Sequence, residues 1–324
     1  MVTREDVARL AGVSKTTVSR VLNKNGYVSE ENRTRIEKAI SELGYSPNLI
    51  ARSLKTRQSR QILFYVHDIL NPFYMEVYRG MEDFCEETGY TIVLSRNFDP
   101  LKIRQRQYDG IILSDISRKK EQEHAKPAVP AIVTDYCGKP LPIPSVGIDI
   151  KAGSEKATDH LLKNGHRKIA FLTISDSRED QRLKGFYGSL ERAGLDSRTA
   201  PVICTGHIGS EYVKGYFAAK ELLNKTRDFS AVFAFNDAMA IGALSAFSEH
   251  KIRVPLDVSL IGFDDIIQAG FTIPKLTTVR LPKYEQGYES ARILINMIQG
   301  KKVGSMTLET SLTLRDSVQN ILNI

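Results

Sequence analysis

The sequence lacks the features that mark several common classes of protein. Its three cysteines are too few and too widely spaced for a disulfide framework or a CxxC metal or redox site. No apolar run is long enough to span a bilayer, and the N-terminal residues MVTREDVARL contain no apolar signal segment. We therefore expect a cytoplasmic protein with no membrane partner.

The chain also lacks the short motifs of familiar enzymes. It contains no HExxH, GxSxG, Walker A or GxGxxG stretch and no Cys/His cluster. We therefore predict no enzymatic activity, no catalytic residue, no metal ion and no cofactor. An enzyme remains the rival that turnover of a candidate ligand would revive.

The net charge of +7 is concentrated at one end of the chain. Residues 1–60 contain twelve lysines and arginines against six acidic residues, whereas the longer remainder is nearly neutral. A solvated charged surface is the common explanation of a charge run, but it does not explain this asymmetry. A chain of 324 residues is expected to form two or more folding units. The excess of positive charge lies in the small first unit, which indicates that this unit binds a polyanion.

Residues 12–23, GVSKTTVSRVLN, predict a tight turn followed by a short helix. Ser14 is a good N-cap, and Val18 and Leu22 lie one turn apart on the inward face. The outward polar face then carries Lys15, Thr16, Arg20 and Asn23. A helix capped by Thr3 precedes the turn, so the pattern predicts a helix-turn-helix whose second helix enters the DNA major groove. Plain packing of two short helices is the alternative for such a pattern by itself.

Two further helices are predicted after this motif. Ser29 caps a third helix, which Gly44 ends. Residues 48–54 favour a short amphipathic helix of only about two turns, too short to be stable alone in water. This helix therefore needs a partner to fold.

Short apolar runs alternate with helical patterns over the rest of the chain. The candidate strands are residues 62–66, 91–94, 110–113, 131–134, 145–148, 168–172, 202–204, 231–234 and 259–263. The candidate helices are residues 73–88, 151–164, 182–193, 211–224, 238–250 and 283–298. Such alternation is typical of parallel sheets with helices on both faces. The strands are too many for one sheet, so we predict two doubly wound α/β lobes with a ligand cleft at the carboxyl ends of their strands.

Longer stretches of the sequence resemble one known family. TREDVARLAGVSKTTVSRVLN and ELGYSPNLIARSLKT resemble the headpiece and hinge of the lactose repressor (LacI/GalR) family of bacterial transcription regulators. Further matches to the family are NPFY, HLLKNGHRKIAFL, RLKGF, FNDAMAIGAL, VSLIGFDD and LTTVR. The resemblance covers nearly the whole chain. It implies a helix-turn-helix headpiece and hinge helix, followed by two α/β lobes of the periplasmic-binding-protein type.

The resemblance also implies a division of the chain into three parts. Residues 1–46 are the DNA-binding headpiece, residues 47–60 the hinge helix and linker, and residues 61–324 the effector-binding and dimerisation domain. In that domain, lobe 1 takes about residues 61–148 and 281–305, and lobe 2 about residues 149–280 and 306–324.

Contacts to DNA are implied for the headpiece and the hinge. Lys15, Thr16 and Arg20 occupy the base-reading positions, with Arg20 suited to a bidentate contact to guanine. Contacts that position the DNA backbone are implied for Thr17, Ser19, Asn23 and the Tyr45 hydroxyl. The hinge residues implied to bind DNA are Asn48, Ala51 and Leu54. Ala51 and Leu54 enter the minor groove, where Leu54 is the wedge that kinks the duplex.

Effector contacts are implied for six residues of the lobes: Phe73, Tyr74, Asp135, Arg182, Asn236 and Asp264. Carboxylates, a guanidinium and an amide form paired hydrogen bonds to adjacent hydroxyls, and aromatic rings pack on the C–H face of a sugar ring, so the set suits a polyol. Local alternatives stay open. Asp264 and Asn236 fit helix caps, Arg182 fits a surface ion pair, and Phe73 fits the core.

Together these implications predict a homodimeric repressor of carbohydrate-utilisation genes. It binds a near-palindromic double-stranded operator, associated with the nucleoid when bound, and responds to a small sugar between its lobes. The alternatives are a nucleobase corepressor, a sugar phosphate and a partner phosphoprotein; a sugar-binding receptor is a more distant one. Whether the effector releases the operator or strengthens its binding stays open.

The sequence departs from the family pattern in two places. Only residues 96–108 separate the second and third predicted strands, near the minimum for a parallel crossover, where the family has a full helix that contributes to dimer contacts. At residues 206–209, where relatives often place an aromatic ring over the ligand, this chain offers His207 or Ile208.

Overall fold

The computed structural model divides the chain into two compact units, Met1–Arg60 and Gln61–Ile324. It describes residues 2–22, 25–46, 58–66, 68–99, 101, 103, 105, 107–114, 129–134, 143–175, 177, 180–206 and 208–322. The predicted hinge helix at residues 48–54 lies outside the described residues.

Helices make up the regular structure described in the first unit. They are α1 (Arg4–Ala11), α2 (Lys15–Leu22) and α3 (Glu30–Leu43). Thr3 begins α1 in a capping box with Asp6, and Ser29 caps α3. Gly12 and Gly44 end α1 and α3 in the left-handed conformation, at φ 65° and 58°, which glycine adopts without strain.

The core of the headpiece is small and apolar. Val7, Val18 and Ile36, one from each helix, are fully buried and pack with the ring of Tyr45. Leu10, the remaining large apolar residue of α1, is 50% exposed. Val7 and Ile36 come from helices that are capped at both ends, so the cap signals and the apolar patterns of α1 and α3 agree.

The described part of the second unit contains two six-stranded sheets. All strand pairs of the first sheet are parallel, in the order β11-β5-β4-β3-β1-β2. Its strands are β1 (Gln61–Tyr65), β2 (Thr91–Ser95), β3 (Gly110–Ser114), β4 (Ala131–Thr134), β5 (Ser145–Ile148) and β11 (Met306–Leu308). We call this sheet, with the helices α4 (Pro72–Thr88) and α9 (Lys283–Ile298) that pack on it, the first lobe.

The second sheet has the order β12-β10-β9-β8-β6-β7, with β12 antiparallel to β10. Its strands are β6 (Ile169–Thr173), β7 (Val202–Cys204), β8 (Ala231–Ala234), β9 (Ser259–Asp264), β10 (Thr277–Arg280) and β12 (Ser311–Thr313). The helices of this second lobe are α5 (Ile150–Lys163), α6 (Gln181–Arg192), α7 (Glu211–Lys225) and α8 (Asp237–Glu249). The central strands β6, β8 and β9 are buried along their whole length because helices cover both faces.

Glycine allows α4 and α9 to pack unusually close together. A Cβ atom at Gly80 would lie 2.0 Å from the carbonyl oxygen of Tyr284, and one at Gly287 would lie 1.9 Å from that of Val77. Both obstacles are backbone atoms, so no side chain can move aside to make room. This packing fixes the start of α9 beside the first turns of α4.

The chain passes between the lobes three times, at residues 148–150, 280–283 and 308–311. Asp149 caps α5 by accepting the N–H of Ala152 at 2.9 Å, and its own N–H donates to the carbonyl of Leu308 at 3.0 Å. The first and third crossings are thus hydrogen-bonded to each other. Because Met306–Leu308 pairs with β5, residues 306–308 lie in the first lobe, and the expected boundary at residue 306 moves past Leu308.

The predicted combination of a helical headpiece with two doubly wound α/β lobes is confirmed. The nine predicted strands and the six predicted helices of the second unit are present, with ends that differ by at most one residue. The sequence did not predict β10, β11 and β12. The residues of β11 and β12 are exposed or only partly buried, so no continuous apolar run marks these strands, and β10 begins with two threonines and ends with an exposed arginine.

The short segment after β2 still covers one face of the first sheet. Ile103 is buried and packs with Leu63 and Ile111. Its N–H donates to the carbonyl of Asp99, four residues earlier, at 3.3 Å, which is the hydrogen bond of an α-helical turn. The described residues between 96 and 108 therefore cover part of the sheet face on which Leu63 and Ile111 lie.

Candidate DNA-reading helix and effector cleft

Helix α2 presents the implied base-reading side chains to solvent. Its first turn is held by Ser14, whose hydroxyl accepts the N–H of Thr17 at 3.1 Å. Val18 is fully buried and fixes the orientation of the helix. The exposed residues on the outward side include Lys15, Thr16 and Arg20. A short helix that exposes donors of this kind has the form of a major-groove reader.

Lys15 has an anionic partner within the headpiece. Its Nζ lies 2.8 Å from a carboxylate oxygen of Glu5, and both side chains are exposed. The hydrogen bond from Lys15, together with its charge, lowers the pKa of Glu5. Since exposed ion pairs contribute little to stability, the contact with Glu5 holds the Lys15 side chain only weakly.

The other implied DNA contacts are less exposed or lie elsewhere. Thr17 and Ser19 are half-buried on α2. The ring of Tyr45 is buried, and its hydroxyl accepts a hydrogen bond from Arg4 Nε at 3.3 Å. The implied DNA and effector residues that fall outside the described residues are Asn23, Asn48, Ala51, Leu54 and Asp135.

Three implied effector residues lie at the carboxyl edge of the second sheet. Arg182 lies in the first turn of α6, Asn236 caps α8 directly after β8, and Asp264 ends β9. Arg182 Nη2 is 3.7 Å from Asp264 Oδ1, and both side chains are largely buried. This edge of a parallel sheet is where α/β proteins commonly bind ligands.

Two aromatic rings orient the guanidinium of Arg182. Its Cζ atom lies 4.2 Å from the ring centroid of Phe235 and 4.5 Å from that of Phe263. The alternative of a surface ion pair is therefore wrong for this residue. Arg182 is a fixed, largely buried cation beside a carboxylate, and this pair offers donors and acceptors in one place.

Asp264 lies in a strained turn. Asp264 has φ 111° and Asp265 has φ 53°, values that residues other than glycine rarely adopt. Burial raises the pKa of Asp264 well above its usual range, while the charge of Arg182 acts in the opposite direction. The carboxylate of Asp265 has other partners: it accepts from Arg315 Nη2 at 2.7 Å and from the Thr313 hydroxyl at 3.1 Å.

Glu211 joins the two lobes through a pair of helix-capping asparagines, and the sequence did not point to it. Asn236 caps α8 by accepting the N–H of Met239 at 3.0 Å, and its amide donates to Glu211 Oε2. Asn71 caps α4 by accepting the N–H of Phe73 at 3.0 Å, and its amide lies 3.4 Å from the same Oε2 atom. Asn236 is thus a cap, as the local alternative had it, and still directs its amide donors to a carboxylate.

Phe73 and Tyr74 lie in the first turn of α4, where their rings meet edge to face with centroids 5.2 Å apart. Both side chains are buried and belong to the hydrophobic core. The core alternative considered for Phe73 therefore describes its packing in this structure. The first lobe reaches the cleft residues through Asn71, which the sequence did not single out.

Lys283, the first residue of α9, is a third residue that the sequence did not single out. Its ammonium donates to the carbonyl oxygens of Asp264, at 2.6 Å, and Asp265, at 2.8 Å. It also lies 3.1 Å from Glu76 Oε2 on α4. A lysine after a proline carries no signal of this role in the sequence, because its partners lie far away along the chain.

Comparison with known proteins identifies the family. Residues 3–48 match the family described as bacterial regulatory proteins, lacI family, and residues 158–318 match the periplasmic binding protein-like domain. The chain is 37% identical over 315 residues to the ribose operon repressor of Escherichia coli, an alignment that covers 92% of this chain and 93% of that protein. The chain belongs to the lacI family. It is a DNA-binding transcription regulator.

Other lacI-family relatives extend the comparison. The chain is 35% identical over 317 residues to the transcriptional repressor PurR of Vibrio atlanticus, which covers 93% of each protein. The Lac repressor dimer bound to operator and the anti-inducer ONPF superposes with a TM-score of 0.83 at 28% identity, over 98% of this chain and 99% of that one. A regulator from Enterococcus faecium with bound ribose has a TM-score of 0.72 at 28% identity, over 81% and 99%.

The described residues of this lacI-family regulator show neither a metal site nor a membrane span. No group of three or more His, Cys, Asp and Glu side chains in that part of the chain is arranged to hold a metal ion. In the same part, every helix is too short or too polar to cross a membrane.

Asp237 supports the cleft of this lacI-family chain from inside the second lobe. It is completely buried at the start of α8, where its carboxylate accepts the Ile266 N–H at 2.8 Å and the Thr278 hydroxyl at 2.5 Å. Burial raises the pKa of Asp237 to about 7, although both hydrogen bonds lower it. The carboxyl group thus holds the residue that follows the strained turn.

The raised pKa of Asp237 predicts a stability that depends on pH. Between pH 3.8 and about pH 7 the folded chain keeps a proton on Asp237 that the unfolded chain has released. The contribution of this group to the free energy of unfolding is therefore complete at the acidic end and is lost as the pH rises toward 7. Asp237→Asn does not ionise, so its free energy of unfolding should rise relative to that of the wild type as the pH increases over this range. Chemical denaturation of both proteins measures this difference. A constant difference across the range would contradict this expectation.

Proposed function

We propose that this protein is a homodimeric repressor of carbohydrate-utilisation genes whose effector is a ribose-type sugar bound between the lobes. The observation that carries the proposal is the cluster of Arg182, Asn236 and Asp264 at the carboxyl edge of the second sheet. The protein works in the cytosol, binds a near-palindromic operator and turns over no ligand. The similarity of the chain to the ribose operon repressor and to the ribose-bound regulator supports the choice of sugar.

The chemistry of the cleft suits a small polyol. Each hydroxyl of a sugar both donates and accepts a hydrogen bond. Asp264 and Glu211 are carboxylates that accept, whereas the Arg182 guanidinium donates. The asparagine amides of residues 71 and 236 add donors from both lobes. A sugar that satisfies donors and acceptors of both lobes favours the closed cleft.

A nucleobase corepressor is the second candidate, supported by the similarity to PurR. A planar base calls for an aromatic ring that is free to stack on it. The implied aromatic residues Phe73 and Tyr74 are instead buried in the core, and Phe235 packs against Arg182. These contacts favour the sugar, and a comparison of ligands decides between the two.

We assign DNA recognition to α2. Each subunit of the dimer places its own α2 in one half-site of the operator. Arg20 is exposed on the outward face and suits a bidentate contact to guanine. The residues that position the DNA backbone, and Leu54 as the minor-groove wedge, complete the contacts that the family resemblance implies. Closure of the cleft then alters operator affinity through the coupling of two sites.

The role of Arg20 predicts a loss of discrimination at one symmetric base pair. Against an operator selected from random DNA by the wild type, Arg20→Ala should lose about 1–3 kcal/mol of discrimination per half-site, because a bidentate base contact disappears. Titrations with the operator and its single-base variants measure this. Lys38→Ala, which removes an exposed cation from α3, is the control and should leave the preference among bases unchanged. Equal preferences for the wild type and Arg20→Ala would remove Arg20 from base reading.

The role of Arg182 predicts a ribose-dependent change in thermal stability. At a hundred times its dissociation constant, ribose should stabilise the wild type by about 2.7 kcal/mol. Arg182→Met should lose this gain because the paired donor to the sugar is gone. The chain has no tryptophan, so a dye or circular dichroism serves as the probe. Arg192→Met on the same helix, whose exposed guanidinium binds Glu155, should keep the full gain. A response to purines without one to ribose would replace the sugar by a nucleobase.

An exposed apolar patch on the second lobe supports the dimer. Ile267, Phe271 and Ile273 lie within seven residues of one another, and Phe271 and Ile273 are 81% and 97% exposed. Large exposed apolar groups of this kind commonly mark a protein interface. We assign the patch to contact with a second copy of the chain, since the similar Lac repressor is a dimer.

Disruption of this patch should produce monomers. Phe271→Asp places a charge where apolar contact is expected, so sedimentation equilibrium should show a shift from dimer to monomer by at least about tenfold in dissociation constant. Leu256→Asp alters an exposed leucine outside the patch and should leave the dimer intact. If Phe271→Asp sediments as the wild type does, the dimer forms through another surface.

A further inference from the structure

The ammonium group of Lys283 is buried at the place where the chain passes between the lobes. Its side chain is only 2% exposed. The three N–H donors of an ammonium face three oxygens: the carbonyls of Asp264 and Asp265 and a carboxylate oxygen of Glu76, at 2.6, 2.8 and 3.1 Å. The charge is thus fully surrounded by acceptors.

These three partners belong to different lobes. Lys283 begins α9 and Glu76 lies in α4, and both helices pack on the first sheet. Asp264 ends β9 of the second sheet, and Asp265 follows it. We call this set of contacts the interlobe link. It joins the carboxyl edge of the second sheet to the first turns of α4.

The link ends on Asp264, whose backbone and side chain are both constrained. Asp264 has a left-handed backbone, at φ 111°, and directs its carboxylate toward Arg182. Its carbonyl oxygen is occupied by Lys283 at the same time. A ligand that draws on the carboxylate of Asp264 therefore acts on a turn whose carbonyls hold a buried cation.

A buried cation cannot be left without its partners at small cost. If the turn moves when the cleft closes, Lys283 must follow it or lose two acceptors. The close packing of α9 on α4 at Gly80 and Gly287 leaves little freedom between the two helices. Movement of the turn is thus transmitted to α4. The Glu76 side chain contacts Lys283 through Oε2 and is 44% exposed to solvent.

We propose that Lys283 is the positioning residue that couples the effector-binding carboxylate of Asp264 to helices α4 and α9 of the first lobe. The inference rests on the proposed function in one respect, that the cleft takes an effector at Asp264. Lys283 itself does not touch the effector. It determines how strongly occupancy of the cleft changes the first lobe, and therefore operator affinity.

The coupling is tested with the full-length protein, a selected operator and ribose. The measured quantity is the ratio of operator affinities with and without saturating ribose. In Lys283→Met this ratio should fall toward one, by at least about fivefold where the wild type has a coupling in the usual range of 5–150. Lys283→Arg keeps a cation with several donors and should restore most of the ratio. A purely structural role would lower the melting temperature of Lys283→Met and leave the ratio unchanged, and that result would overturn the proposal.

Glu76→Gln provides a milder second variant that is expected to fold even if Lys283→Met does not. It removes the charge from α4 and leaves the two carbonyl acceptors in place, so ribose should bind within about twofold of the wild-type affinity while the ratio falls. Glu82→Gln, on the same helix and hydrogen-bonded to Tyr78, is the matched control and should leave the ratio as it is. An unchanged ratio in Glu76→Gln would also contradict the proposal.

Hydrogen–deuterium exchange tests the link without any effector. In Lys283→Arg the amides of residues 264–266 and of the first turns of α4 should exchange at rates close to those of the wild type, and in Glu76→Gln both segments should exchange faster. If exchange is unchanged in both segments of Glu76→Gln, the link does not exist. If the link is confirmed but ribose has no effect on the wild type, the proposed sugar is wrong and the link stands.

Discussion

The burial of Asp264 at the end of β9 is the constraint on which the cleft depends. Burial raises the pKa of this carboxyl group well above its usual range, and the charge of the Arg182 guanidinium acts in the opposite direction. The guanidinium is in turn held between Phe235 and Phe263, so its position is fixed before any ligand arrives. Because these side chains are already ordered, binding of a ligand carries only a small free-energy cost for ordering them.

The rest of the second unit supports this arrangement. Asp237 holds the backbone after the strained turn, and Lys283 holds the carbonyls of the turn itself. Lys283 can do so only because glycines let α9 begin next to α4, as the short Cβ distances at Gly80 and Gly287 show. Close helix packing in one lobe therefore determines the geometry of a site in the other.

Local signals made much of the fold predictable. Ser14 and Ser29 mark helix starts because their hydroxyls accept backbone N–H groups, and Gly44 marks a helix end because its backbone is left-handed. Buried strands such as β9 show continuous apolar runs. The residues that the sequence missed act over long distances in the chain. Glu211 bonds to Asn71 and Lys283 to Asp264, and neither glutamate nor lysine carries a local pattern that reveals such a partner. The family resemblance located Arg182, Asn236 and Asp264, but not the contacts that hold them in place.

The central claim is that a ribose-type sugar in the cleft sets the affinity of the protein for its operator. The most direct measurement is the dissociation constant of the full-length wild type for a selected operator, with no ligand, with saturating ribose and with saturating purine base. The account predicts a change of about 5–150-fold with ribose, the usual range for coupled sites, and none with the purine. The same operator affinity with and without ribose, or a change with the purine alone, would contradict it.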